Sequence, residues 1–129
     1  MEDSAKQRLL DIRYLRMARI WAENSYCKRR QVGALIVKGK SIIFEDEDDR
    51  TKPYVLHAEA NAITKVAKSG NSSDGATLYV TASPCIECAK LIIQAGIVRV
   101  VYSEVYRCTD GIELLEKAGI AVEYVEIPS

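Results

Sequence analysis

Residues 76–104, ATLYVTASPCIECAKLIIQAGIVRVVYSE, constrain the fold more than any other stretch of the chain. A mostly apolar strand runs straight into Pro84, a residue suited to the first position of a helix; CIECAKLIIQA is helical in composition and stops at Gly96, and VRVVYSE reads as a second strand. A strand, a helix and a strand in that order close as a right-handed crossover, which makes the two strands parallel neighbours. Parallel strands are covered on both faces, so the rest of the chain has to supply helices for two sides of one sheet.

The flanking segments supply them. Residues 4 to 23 open with Ser4 and Gln7 in capping-box positions and repeat Leu10, Tyr14, Met17 and Trp21 at helical spacing. QVGALIVK and SIIF, separated by Gly39-Lys40, form a β-hairpin that adds an antiparallel edge; the acidic EDEDD and RTKP after it are expected as a solvated connection. VLHAEANAITKVAKSG is a second helix beginning near Tyr54 or Val55, with Gly70 at its C-cap. Asp110 and Glu113 are expected to cap a helix through LLEKA to Gly119, and AVEYVEI closes the chain as a strand. The order α-β-β-α-β-α-β-α-β predicts a three-layer α/β/α fold: one mixed, five-stranded sheet with helices on both faces, in a single domain over 1–129.

Lys plus Arg equals Asp plus Glu at 18 each, so no overall field pulls in a polyanion, and long nucleic acid is not an expected partner. The first residues, MEDSAKQRLL, lack a secretory layout, and no apolar run is long enough to span a bilayer; a cytoplasmic location and no membrane partner are expected. In a reducing compartment the four cysteines, Cys27, Cys85, Cys88 and Cys108, favour thiolate chemistry over disulfides.

Cys85 and Cys88 are three apart at the start of a helix, about 300 degrees around its axis, so both sulfurs share one face near the positive end of the helix dipole. Such a pair suits zinc or a thioredoxin-like redox couple. A closed structural zinc site needs two more Cys or His ligands, which Cys27 and Cys108 could supply; a catalytic one needs a third ligand and an open position. His57 is the only histidine in the chain and favours the catalytic arrangement. Glu59 follows two residues later, where mid-helix geometry would point it away from His57; at the N-terminal end of a helix both border an ion beyond that end. There a carboxylate can take a proton from water and pass it to a substrate nitrogen, so Glu59 reads as general acid/base and not as a ligand.

The pairing of HAE with PCIEC resembles the zinc-dependent nucleoside and nucleotide deaminases, whose H-x-E and P-C-x-x-C signature it repeats. SYCKRRQVGALIVK, VLHAEANAI, GATLYVTASPCIECAKLIIQAGI and VVYSEVY look most like deoxycytidylate deaminases. The resemblance implies Zn2+ on His57, Cys85 and Cys88, Glu59 shuttling protons while hydroxide attacks C4 of dCMP, and dUMP and ammonia as products. It places the backbone N–H of Ala58 and the carbonyl of Ser83 on the base, and Val32, Gly33 and Ala34 as a strand wall beside it. For the 5′-phosphate, Lys28, Arg29 and Arg30 lie just before that strand; Arg29 leads because a guanidinium binds phosphate bidentately. Tyr106 is the expected aromatic near the nucleotide. The family also implies a homo-oligomer, for which Val98, Val105 and Ala121 are apolar interface candidates.

One stretch departs from the resemblance. Relatives carry a glycine- and asparagine-containing segment after the second strand, whereas here Ile43 leads into FEDEDDRTKPYVL with neither residue between Gly39 and His57. A natural short loop, an engineered deletion and a loop absent from the sequence all account for it. Shortening a loop costs the fold little, but a lost sugar contact forfeits substrate positioning. The second functional reading is therefore a zinc-binding, self-assembling protein of deaminase fold with weak or no activity. Regulation by deoxynucleoside triphosphates is not expected.

Overall fold

The computed structural model describes residues 2–23, 31–39, 41–49, 62–64, 66–67, 72–105 and 109–128. Helix α1 (Glu2–Ala22) is followed by β1 (Gln31–Lys38), β2 (Ser41–Asp49), β3 (Thr77–Val80), α2 (Ile86–Gln94), β4 (Arg99–Tyr102), α3 (Asp110–Lys117) and β5 (Ala121–Tyr124); residues 62–64 and 66–67 are also helical. The five strands form one sheet in the order β2-β1-β3-β4-β5. Strand β1 is antiparallel to β2 and β3, while β3, β4 and β5 run parallel, so the expected mixed sheet is present with its antiparallel part at the hairpin end.

The side chains of β1 alternate between two cores, as the period of two in a strand requires. Val32, Ala34 and Ile36 join Leu78, Val80, Val100, Ala89, Ile92 and Leu115 on the face covered by α2, α3, Ala62 and Val66. Leu35 and Val37 join Tyr79, Val101, Leu15 and Ala18 on the face covered by α1. Each fully buried Leu, Ile or Val contributes about 1.5–3 kcal/mol relative to exposure. The continuous apolar reading of VGALIV thus reflects a strand buried on both sides.

Several expected boundaries shift. Helix α1 begins at Glu2, so Ser4 lies inside the helix and does not cap it; Gln7 instead donates to Asp11 at 3.0 Å. The buried line of α1 is Asp11, Leu15, Ala18 and Ala22, one position away from the expected stripe; Met17 is exposed and Leu10, Tyr14 and Trp21 only partly covered. The cause is a close approach: a Cβ on Gly33 of β1 would overlap the carbonyl oxygen of Ala18 and lie 2.8 Å from the nitrogen of Ala22. Helix α1 rests on β1 backbone to side-chain-less backbone, so small residues take the contact line and large ones flank it.

The acidic run after SIIF is not a loop. Residues 45–49 continue β2, pairing with β1 as far as Gln31↔Asp49, past an irregularity where Ile36 pairs with Phe44 and Val37 with Ile42. Strand β2 is at the edge of the sheet. Cys85 is the N-cap of α2, which leaves Pro84 just outside the helix, and Thr109, not Asp110, is the N-cap of α3, with Asp110 and Glu113 in its first turn. Among the described residues no helix is long and apolar enough to cross a membrane.

Candidate metal centre

The two cysteines lie where β3 hands over to α2, beyond the carboxyl ends of the parallel strands, the usual location of ligands in such sheets. Cys85 is extended, with φ −73° and ψ 170°, and its side chain does not cap the helix. Cys88, one turn into α2, is buried, and Cys85 is half-buried. Both are therefore at the positive end of α2.

The connection that carries Cys85 and leads into α2, residues 81–85, is held by hydrogen bonds to the strands on either side. The N–H of Thr81 donates to the carbonyl of Gly33 at 3.1 Å, and the N–H of Gly33 donates to the Thr81 hydroxyl at 3.1 Å. On the other side the Ser103 hydroxyl donates to the carbonyl of Thr81 at 3.0 Å, and the N–H of Ser83 donates to the carbonyl of Glu104 at 2.8 Å. Ser83 is fully buried. Val32 is buried at the same end of the sheet, on the α2 face. Of the expected strand wall, Val32 and Ala34 face that side, whereas Gly33 faces α1.

Ser83 and Cys85 on the connection, Cys88 in the first turn of α2, and Val32 at the start of β1 thus lie at one end of the sheet. His57, Ala58, Glu59, Arg29 and Tyr106 lie outside the described residues, as do Cys27 and Cys108. Among the described residues no group of three His, Cys, Asp or Glu side chains could hold a metal; the described part of the expected donor set is the cysteine pair. Its chemistry fits zinc: two sulfurs in one helical turn, one buried, at the electropositive end of a helix.

A second polar cluster lies on the opposite face and was not apparent from sequence spacing. Asp11, 2% exposed, accepts from Arg99 Nη1 at 2.8 Å and Nη2 at 2.6 Å, and from the Tyr79 hydroxyl at 2.6 Å. Arg99 Nη2 also pairs with the exposed Glu123 at 3.0 Å. Burial works to raise the Asp11 carboxyl, but the hydrogen bonds from Arg99, Tyr79 and Gln7, with the charge of Arg99, outweigh it and hold the group below its ordinary 3.8. Burial and the bond to Asp11 push the Tyr79 phenol upward. The cluster lies on the α1 face of the sheet and serves the α1 interface.

A three-layer α/β/α sheet with two cysteines at the carboxyl end of a parallel strand has the layout of a zinc-binding enzyme. Residues 9–104 match the cytidine and deoxycytidylate deaminase zinc-binding region. ComE operon protein 2 of Bacillus subtilis (strain 168) is 38% identical over 136 residues, covering 88% of this chain and 70% of that protein. Deoxycytidylate deaminase of Enterobacteria phage T2 is 49% identical over 69 residues, 52% of this chain but only 37% of the phage protein. Among solved structures, dCMP deaminase from the cyanophage S-TIM5 in complex with dCMP and dUMP superposes with a TM-score of 0.81 at 38% identity, covering 96% of this chain and 98% of that one. The chain belongs to the cytidine and deoxycytidylate deaminase family, a family of hydrolytic nucleotide deaminases whose shared region binds zinc.

The alignment with the Bacillus protein has 136 positions but draws on only 88% of the 129-residue chain, so the relative carries residues that this chain lacks.

Proposed function

We propose that this chain catalyses the hydrolytic deamination of dCMP: water adds at C4 of the cytosine, the C4–N bond breaks, and dUMP and ammonia leave. The observation that carries the reading is the Cys85/Cys88 pair at the start of α2, in a chain whose fold superposes over 96% of its length on a dCMP deaminase solved with dCMP and dUMP. His57 joins Cys85 and Cys88 as the third ligand of zinc. Bound there, zinc supplies a Lewis acid that makes water acidic enough to act as a nucleophile near neutral pH.

The chain's own residues do the rest. Glu59 accepts the proton of the attacking water and returns it to the departing nitrogen. The N–H of Ala58 donates to the pyrimidine carbonyl, and the carbonyl of Ser83 accepts from the exocyclic amine. Val32 walls the base, Arg29 takes the 5′-phosphate and Tyr106 packs near the nucleotide. The 129 residues act as a single deaminase domain, in the cytoplasm and as a homo-oligomer, with Val98, Val105 and Ala121 available as exposed apolar contacts.

The stretch between Gly39 and His57, which holds neither glycine nor asparagine, supports a second reading, a zinc-binding assembly of the same fold with little turnover. Ultraviolet-monitored deamination of dCMP, deoxycytidine and cytidine, with zinc content measured in parallel, separates the two. Turnover of dCMP that disappears in Glu59→Ala, with zinc retained, is expected; bound zinc without turnover of any cytosine substrate leaves the assembly reading. Equal kcat/KM for deoxycytidine and dCMP would remove Arg29 from its phosphate role.

A further inference from the structure

Two features hold the cysteine-bearing connection from opposite sides, and neither is a ligand. Thr81 is buried and continues the β1–β3 ladder past Val80, trading a backbone and a side-chain hydrogen bond with Gly33 at 3.1 Å each. Four residues further on, the first turn of α3 rests directly on the Pro84–Cys85 peptides. A Cβ on Gly111 would overlap the carbonyl oxygen of Pro84 and lie 2.9 Å from both the carbonyl carbon and the oxygen of Cys85. The obstructing atoms are backbone, which cannot swing aside as the end of a side chain would. Any residue larger than glycine at 111 must displace either α3 or the peptide that carries the Cys85 thiol.

We infer that Thr81 and Gly111 are positioning residues for the two thiols: Thr81 sets the connection's height against β1, and Gly111 sets its depth by letting α3 seat against it. The inference rests on the zinc reading above. Metal affinity is sensitive to such supports, because they orient the ligand; outer partners of metal ligands are typically worth about 10- to 100-fold in affinity.

The test measures the zinc dissociation constant of the intact chain by competition with a chromogenic chelator. Gly111→Ala and Thr81→Val are each expected to weaken zinc by about 10- to 100-fold, and Thr81→Ser, which keeps the hydroxyl, to restore affinity near that of the parent. Leu115→Ala is the comparison: Leu115 is buried in the same helix but makes none of these contacts, so it lowers stability while leaving zinc affinity near the parent value. Parent-like affinity in both Gly111→Ala and Thr81→Val overturns the inference, as does an equal loss in Leu115→Ala. If Gly111→Ala does not fold, Thr81→Val against Thr81→Ser decides alone. A parent that takes up no zinc fails at the earlier reading, which the variants then share.

Discussion

The two faces of the sheet are built on opposite rules. Among the described residues, those packed under α2 and α3 are apolar, and the polar groups lie at the end of the sheet, on the connection 81–85. Under α1 a carboxylate, a guanidinium and a phenol lie within the packing itself, joined by bonds of 2.6 to 2.8 Å. The difference separates two tasks. A ligand pair needs an accessible position on a rigid support, which the end of a parallel sheet provides. The α1 cluster instead ties the first helix to β3 and β4 over sequence separations of 68 and 88, and so fixes how the N-terminal helix docks.

The division is broken most directly by exchanging one group on each face. Cys88→Ser is expected to reduce zinc from about one per chain to a small fraction and dCMP turnover by at least about 10³-fold, because a catalytic zinc has three protein ligands and no substitute. Its urea midpoint, compared with that of the zinc-free parent, should barely move. Arg99→Leu is expected to do the reverse: about 3 kcal/mol lost in urea unfolding, with zinc content and turnover per folded molecule unchanged. That figure reflects a buried carboxylate deprived of its cation, taken at the low end because the guanidinium still reaches solvent. Adding Asp11→Leu to Arg99→Leu should recover much of the loss, since two apolar groups leave no buried charge. Glu123→Ala, which removes only the exposed partner, should cost at most about 0.5 kcal/mol. A stability loss in Cys88→Ser as large as in Arg99→Leu would show that the faces are not divided in this way.

Much of this division was legible in the sequence on one face and hidden on the other. SPCIEC is local: proline, two cysteines three apart and a helical run specify a turn, a shared face and a dipole without knowledge of the rest of the chain. Five strands, their mixed directions and helices on both sides followed from the order of apolar runs. Asp11 was invisible because a charged residue on a helix is normally solvated; only the arrival of Arg99 and Tyr79 from distant strands makes it a core residue. The one-position rotation of α1 has the same origin, since periodicity favours the large residues Leu10, Tyr14 and Met17, while the contact at Gly33 selects Ala18 and Ala22. Strand β2 ran on through EDEDD because hydrogen bonding to β1 overrode the polar composition that suggested a loop. Thr81 and Gly111 carried no signal of their own; their significance is a matter of which backbone lies against them.

A finer test removes one oxygen from the α1 cluster. Tyr79→Phe keeps the ring, which packs against Tyr14 with centroids 5.0 Å apart, and deletes the hydroxyl that donates to Asp11 at 2.6 Å. A bond to a charged acceptor contributes about 1.5–3 kcal/mol; with Arg99 and Gln7 still satisfying the carboxylate, the lower figure of about 1.5 kcal/mol is expected. Urea unfolding at pH 7 measures it. A loss matching that of Arg99→Leu would mean that the phenol, and not the ion pair, organises the interface.

The smallest effect is confined to acid. The Asp11 carboxyl has its ordinary value of 3.8 when unfolded and a lower one in the fold, so below neutrality the unfolded chain binds this proton first. Its contribution to stability is therefore fully present above the unfolded value and is lost as pH falls through the lower, folded one. Unfolding free energy measured between about pH 5 and pH 2.5 should decline more steeply in the parent than in Asp11→Asn, whose side chain does not titrate. Carboxylates that share no partner with Asp11 drop out of the comparison, so the difference between the curves reports on the Asp11–Arg99 cluster. Parallel curves across that interval would show that the carboxylate is no better held in the fold than in the unfolded chain, and would remove the charge from the account of how α1 docks while leaving its apolar contacts in place.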